Sequence, residues 1–123
     1  MLPVCVQTIY VSHLEEAIGF YSSALGYEVK ATYGACIAQL KTGSTTLILQ
    51  EIEPGTHPQT PKTVLSFGTD DIHASMRSVV NAGGELFHSA PQKCPVGVFV
   101  TFRDKAGVLH ELLQFEAVPK ARA

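Results

Sequence analysis

The 123-residue chain has few charges and no long hydrophobic run, and each shortage excludes a class of protein. Charged residues make up 16% of it and the formal net charge is −2, so it lacks the basic composition of a nucleic-acid-binding protein. No apolar stretch approaches the ~18 residues that a membrane-spanning helix needs. We therefore expect neither nucleic acid nor a membrane among its partners.

Cysteine is scarce and poorly spaced for disulfide or metal chemistry. The three cysteines, Cys5, Cys36 and Cys94, are odd in number and form no C-x-x-C pair. The pattern therefore indicates neither a disulfide framework nor a cysteine zinc site. The N-terminal segment carries no basic residue before its apolar residues, unlike a secretory signal peptide. These features predict a reduced, cytoplasmic protein.

Hydrophobic residues, by contrast, make up 46% of the chain and follow a pattern that occurs twice. Residues 10–29 have the apolar spacing of a helix that follows a strand, with Ser12 as the predicted N-cap. Residues 68–87 repeat that plan, with Asp70 in the place of Ser12. Three strand-like segments follow each helix. The sequence therefore predicts an α+β fold of two βαβββ modules, with module one at 1–52, a proline-rich linker at 53–61, module two at 62–118 and a tail at 119–123.

This doubled module resembles the vicinal oxygen chelate superfamily, which includes glyoxalase I, the extradiol dioxygenases and the bleomycin resistance proteins. The resemblance is carried by the opening segment IYVSHLEEAIGFYSSALGYEV and by the closing segment FRDKAGVLHELLQF. One departure is His13, where aspartate is usual in that group. The resemblance implies a curved mixed sheet around an open cup. It also implies a homodimer, because modules of that group complete clefts across subunits.

The resemblance further implies where a metal ion would be held, by one side chain from the first strand and one from the last strand of each module. Counting back seven residues from His13 gives Val6 for the first position, and the repeat gives Val64 as its counterpart. Matching the glycines that precede the last strands gives Leu47 and Glu111. Valine and leucine offer no lone pair, and characterised sites use about three or more protein ligands. We therefore expect no metal cofactor.

A divalent metal is the alternative cofactor. Gln7 enters the first metal position if the strand register shifts by one residue. Glu51 lies two residues beyond Leu47 and shares its predicted face. With Glu111, these two residues form the alternative ligand set. The five histidines form no H-x-x-x-H or H-x-H pair that would add ligands.

Glu111 lies in a row of large apolar side chains, Leu109, Leu113 and Phe115, on one face of the last predicted strand. A carboxylate there either reaches water at the open side of the sheet or lines a cleft in which water or a ligand satisfies it. A cleft would make Glu111 the candidate catalytic acid or base, because burial raises the pKa of a carboxyl. The predicted ligand-binding residues are Val6, Thr8, Tyr10, Leu47, Leu49, Val64, Ser66 and Leu113.

Three functions fit this pattern. The one we favour is a glyoxalase/bleomycin-resistance-like protein that binds a small, largely apolar molecule in a cleft without a complete metal site. The second is a divalent-metal-dependent lyase, isomerase or dioxygenase of the same superfamily that uses Glu111 and Glu51. The third is a non-catalytic interaction domain whose cup is filled by side chains. The sequence names neither a ligand nor a reaction.

Overall fold

The computed structural model describes residues 1–53 and 62–116. In chain order its elements are β1 (Val4–Val11), α1 (Leu14–Leu25), β2 (Glu28–Tyr33), β3 (Ile37–Lys41), β4 (Thr46–Glu51), β5 (Thr63–Gly68), α2 (Ile72–Asn81), β6 (Glu85–Leu86), β7 (Gln92–Cys94), β8 (Gly97–Arg103) and β9 (Leu109–Phe115). The predicted α+β class is confirmed. Most of the predicted linker, 54–61, and the predicted tail lie outside the described residues. Within those residues, no helix is long and apolar enough to cross a membrane.

Contacts divide the chain into two compact units. The first unit is Val4–Ser66, and the second is Met1–Pro3 together with the described residues from Phe67 onward. The boundary therefore falls within β5.

The first unit is a mixed sheet with the strand order β2-β3-β4-β1-β5. β1 runs parallel to β4, whereas β2, β3 and β4 pair antiparallel. Helix α1 covers one face, and the core between them contains Leu14, Ala38, Leu40 and Leu49. Because side chains alternate across each strand, the other set points away from α1. We call this second surface the helix-free face of the first unit; it includes Val6, Thr8, Tyr10, Ile37, Gln39, Thr46, Ile48 and Gln50.

The second unit has the strand order β9-β8-β6, with β7 also pairing to β8. Helix α2 covers one face, where Ile72, Met76, Val100 and Leu112 form the core. Strands β8 and β9 pair antiparallel. The alternate residues form the helix-free face of the second unit, which includes Phe99, Thr101, Leu109, Glu111, Leu113 and Phe115.

One predicted strand is much shorter than expected. The segment GELFHSA forms only the two-residue strand β6, and the segment APQKCP, which the sequence predicts as a connection, contains β7. Pro95 provides the physical reason, because its fixed φ favours a tight turn and Cys94 pairs with Gly97 across it. The residues before Pro95 therefore pair with β8 as β7, and the predicted strand GELFHSA is reduced to β6.

The helices begin one residue later than predicted. The N-cap of α1 is His13, which makes no side-chain capping bond, and the predicted cap Ser12 lies outside the helix. The N-cap of α2 is Asp71, whose Oδ1 accepts a hydrogen bond from Ala74 N at 3.0 Å. The predicted stop at Gly26 is confirmed: it is the C-cap of α1 with a φ of 76°, a conformation that glycine adopts without strain.

Candidate functional site

Strand β1 places three of the predicted ligand-binding residues on the helix-free face of the first unit. Val6 and Thr8 are buried there and Tyr10 is half-buried. In the parallel register, Thr8 lies opposite Ile48 and Tyr10 lies opposite Gln50. The prediction that Val6, Thr8 and Tyr10 share one face is therefore confirmed.

Strand β5 continues this surface. The hydrogen bonds from Tyr10 N to Lys62 O and from Gly68 N to Pro3 O show that β5 runs antiparallel to β1. Counting from the first of these bonds places Val64 opposite Thr8. The second bond belongs to a register that differs by one residue, so the pairing shifts between the two bonds, and Ser66 O accepts from Cys5 Sγ at 3.5 Å. Val64 is 5% exposed and Ser66 is 1% exposed.

The predicted faces of Leu47 and Leu49 are wrong. Leu49 is fully buried in the core beneath α1, and Leu47 packs against the same cluster. The register pairs Leu47 with Gln7, so both lie on the side of the sheet that faces α1. Matching the preceding glycines misplaced β4 by one residue, and one residue moves a side chain to the opposite face.

Helix capping gives the correct correspondence between the last strands of the two units. Glu51 Oε1, at the end of β4, accepts a hydrogen bond from Leu14 N at 2.9 Å. Gln114 Oε1, near the end of β9, accepts one from Ile72 N at 2.8 Å. Each acceptor therefore caps the first residue of its unit's helix, so Glu51 and Gln114 occupy equivalent positions. The residues three positions before them, Ile48 in β4 and Glu111 in β9, correspond to each other in the same way.

Glu111 lies on the helix-free face of the second unit. It is half-buried, pairs with Thr101 across β8 and β9, and stands two residues from the buried Leu113. Leu113 pairs with Phe99, whose ring meets that of His88 edge-on with the centroids 5.7 Å apart. No local pattern in the sequence selects His88 or Phe99, because their contact depends on the hairpin formed by β7 and β8.

His110, which neighbours Glu111 in sequence, points to the other side of β9. Its ring packs against Phe67 and Phe102, and its Nε2 lies 3.3 Å from Asp104 Oδ2. The backbone N–H of Val108 holds the pKa of Asp104 below its ordinary value of 3.8, and the hydrogen bond with His110 contributes. This pair belongs to the turn between β8 and β9 and to the core of the second unit.

Comparison with known proteins identifies the family. A family model described as the Glyoxalase/Bleomycin resistance protein/Dioxygenase superfamily matches residues 4–112. The chain belongs to this superfamily. It is also 35% identical over 74 residues to an uncharacterized protein of Mycolicibacterium smegmatis, a match that covers 60% of this chain and 61% of that protein. The match thus spans about three fifths of the relative's length.

Solved structures share the fold. A hypothetical protein from Bacillus halodurans C-125 superposes with a TM-score of 0.80 at 17% identity, covering 97% of this chain and 98% of the other. The methylmalonyl-CoA epimerase of Streptomyces coelicolor, in complex with 2-nitronate-propionyl-CoA, gives 0.75 at 22% identity, with 95% and 96% covered. At these identities the likeness establishes the vicinal oxygen chelate fold and leaves the activity open.

The residues present do not fit the divalent ion that the superfamily's metal enzymes use. With the corrected register, three of the four positions hold the aliphatic side chains Val6, Ile48 and Val64, which have no donor atom. Glu111 supplies one carboxylate, fewer than the about three protein ligands of characterised sites.

Two residues of the alternative ligand set lie on the side of the first unit that faces α1. Gln7 is exposed on the face toward α1, opposite Leu47, and Glu51 on that same face is bonded to the start of α1. In the described part of the chain, no group of three or more histidine, cysteine, aspartate or glutamate residues could hold a metal ion.

Proposed function

We propose that this protein binds a small, largely apolar molecule and holds no divalent metal at the positions its superfamily uses. The observation that carries the proposal is the aliphatic character of Val6, Ile48 and Val64, which the strand register places on the helix-free face of the first unit. A side chain without a lone pair cannot bind an ion, but it adds apolar area for a ligand.

The composition of that face supports the same conclusion. Apolar side chains alternate with uncharged polar ones: Thr8 lies between Val6 and Tyr10 on β1, and Ile48 lies between Thr46 and Gln50 on β4. Small-molecule sites are mostly apolar with a few polar groups that fix the orientation of the ligand. A mixed, half-buried surface of this kind suits a neutral molecule better than a metal-bound anion.

Metal analysis tests the negative half of the proposal. Protein purified without chelator should contain well under one ion per chain by plasma mass spectrometry, and titration with zinc, cobalt or nickel should give no stoichiometric binding. Glu111→Ala should leave the metal content unchanged, as should the control Glu85→Ala at an exposed position of β6. About one ion per chain, lost in Glu111→Ala and kept in Glu85→Ala, would overturn the proposal.

A blocking substitution tests the positive half. Small neutral aromatic and aliphatic compounds are screened for a rise in melting temperature, because a ligand that binds only the folded state stabilises it by mass action. Ile48→Trp would cover the helix-free face around the half-buried Ile48 and abolish the rise, whereas Leu25→Trp, at the exposed end of α1, would not. Equal responses of the two variants would show that binding occurs elsewhere.

The role of Glu111 as catalytic acid or base stays a prediction, as do the homodimer and the cytoplasmic location. What supports the first is the half-buried setting of Glu111 beside Thr101 and Leu113. A carboxyl group in such surroundings can exchange a proton with a bound molecule.

A further inference from the structure

Thr8 carries a buried hydroxyl that has no side-chain hydrogen bond within the described residues. Its side chain is 7% exposed, and only Ser66 joins it among the buried polar residues of the described chain. Ser66 takes part in a further interaction, but no group in residues 1–53 or 62–116 forms a side-chain hydrogen bond with Thr8. Burying a hydroxyl in this state costs free energy, because the group gives up its bonds to water.

The oxygen of this hydroxyl keeps some exposure to the outside. In the described residues, His110 Nδ1 is the side-chain nitrogen or oxygen atom that is fully enclosed and has no hydrogen-bond partner. The oxygen of Thr8 also has no side-chain hydrogen bond within these residues but does not belong to this class. The Thr8 oxygen is therefore not completely enclosed. An unpaired hydroxyl that keeps some exposure is suited to bond an atom that approaches from outside.

The immediate neighbours of Thr8 are apolar. Ile48 lies opposite it on β4, Val64 opposite it on β5, and Val6 two residues before it on the same face. The charged residues of this face include Lys62, an exposed residue opposite Tyr10, and Lys41, an exposed residue at the end of β3, and neither lies opposite Thr8. A charged group placed against Thr8 would lose its hydration without gaining a counter-charge, so the surroundings favour an uncharged one.

We propose that Thr8 is the polar anchor for an uncharged ligand, whose hydroxyl or carbonyl oxygen bonds Thr8 Oγ1 while its apolar part packs on Ile48 and Val6. This inference rests on the proposed function and names the chemical class of the molecule. It makes Thr8 the residue that separates a neutral oxygen-bearing compound from a hydrocarbon of the same shape and from an anion.

Three probes of one size test the inference: benzyl alcohol, toluene and benzoate, each titrated into the ¹⁵N-labelled full chain. We expect benzyl alcohol to shift amides of β1 and β4 and to bind more tightly than toluene or benzoate. Thr8→Val, which replaces the hydroxyl by a methyl, should weaken the binding of benzyl alcohol about fivefold and leave the affinity for toluene unchanged. Thr8→Ser should keep the preference, and so should the control Thr46→Val, which removes a hydroxyl from β4 on the same face.

The possible failures are distinguishable. If benzyl alcohol shifts β1 and β4 equally in wild type and in Thr8→Val, the anchor is refuted and the proposed function stands. If benzoate binds more tightly than benzyl alcohol, the uncharged class is wrong. If none of the probes shifts this face, the proposed function itself is overturned together with the anchor. Thr8→Val should also raise the melting temperature, because it removes an unpaired buried hydroxyl, and a lower value would contradict the structural premise.

Discussion

Removing the carboxylate of Glu51 should destabilise the protein more than removing the hydroxyl of Ser12, although the sequence predicts Ser12 as the helix cap. Glu51 Oε1 accepts a hydrogen bond from Leu14 N at 2.9 Å, whereas Ser12 makes no capping contact. Loss of a capping acceptor costs about 1 kcal/mol. Loss of a negative charge at a helix N-terminus adds about 0.5 kcal/mol.

These two contributions give about 1.5 kcal/mol for Glu51→Ala, which corresponds to a fall in melting temperature of about 6 °C for a domain of this size. Glu51→Gln keeps an acceptor oxygen and loses only the charge, so its melting temperature should fall by about 2 °C. Ser12→Ala changes an exposed residue, so its free energy of unfolding should stay within about 0.5 kcal/mol of the wild-type value. Thermal and urea unfolding followed by circular dichroism measure all three variants.

The reasoning is refuted if Ser12→Ala costs as much as Glu51→Ala, since the cap would then be the one that the sequence predicts. A second comparison addresses function. If Glu51 is held by the helix, Glu51→Gln changes stability and leaves metal content as it was. Loss of a bound ion in this variant would revive the alternative ligand set of Glu111, Glu51 and Gln7.

Two further perturbations test the turn and the hairpin of the second unit. The pKa of Asp104 is lowered mainly by the N–H of Val108 and also by His110, so the ionised carboxylate gives stability that is present above pH 3.8 and is lost as the pH falls below it. The urea midpoint of wild type should therefore drop more than that of Asp104→Asn between about pH 6 and about pH 3. Equal drops of the urea midpoint in the two proteins would contradict the pairing. Gly97→Ala should destabilise by about 2 kcal/mol or more, because its Cβ would overlap the Gln114 carbonyl oxygen; a melting temperature within a degree or two of wild type would show that β8 and β9 are not this close.

The fold could be read from the sequence because its signals are local. Apolar spacing and a glycine stop at Gly26 specify a helix within one stretch of chain, and the repetition of that stretch specifies a second module. Within one strand, alternation alone placed Val6, Thr8 and Tyr10 on one face, and it likewise placed Glu111 with Leu113.

Details that depend on two segments meeting were decided only by tertiary structure. The cap of α1 comes from Glu51, distant in sequence from Leu14, and no local pattern marks that residue as a cap. The same holds for β7, which exists because the chain turns back at Pro95 to pair with β8.

The candidate site shows this division most clearly. The sequence alone determined that aliphatic residues occupy the first strands, at Val6 and Val64. Only the pairing of β1 with β4 decided that Ile48, and not Leu47, lies beside Thr8. The physical reason is the two-residue period of a strand: an error of one residue in aligning two strands sends every side chain to the opposite face, and only the hydrogen bonds between the strands fix that alignment.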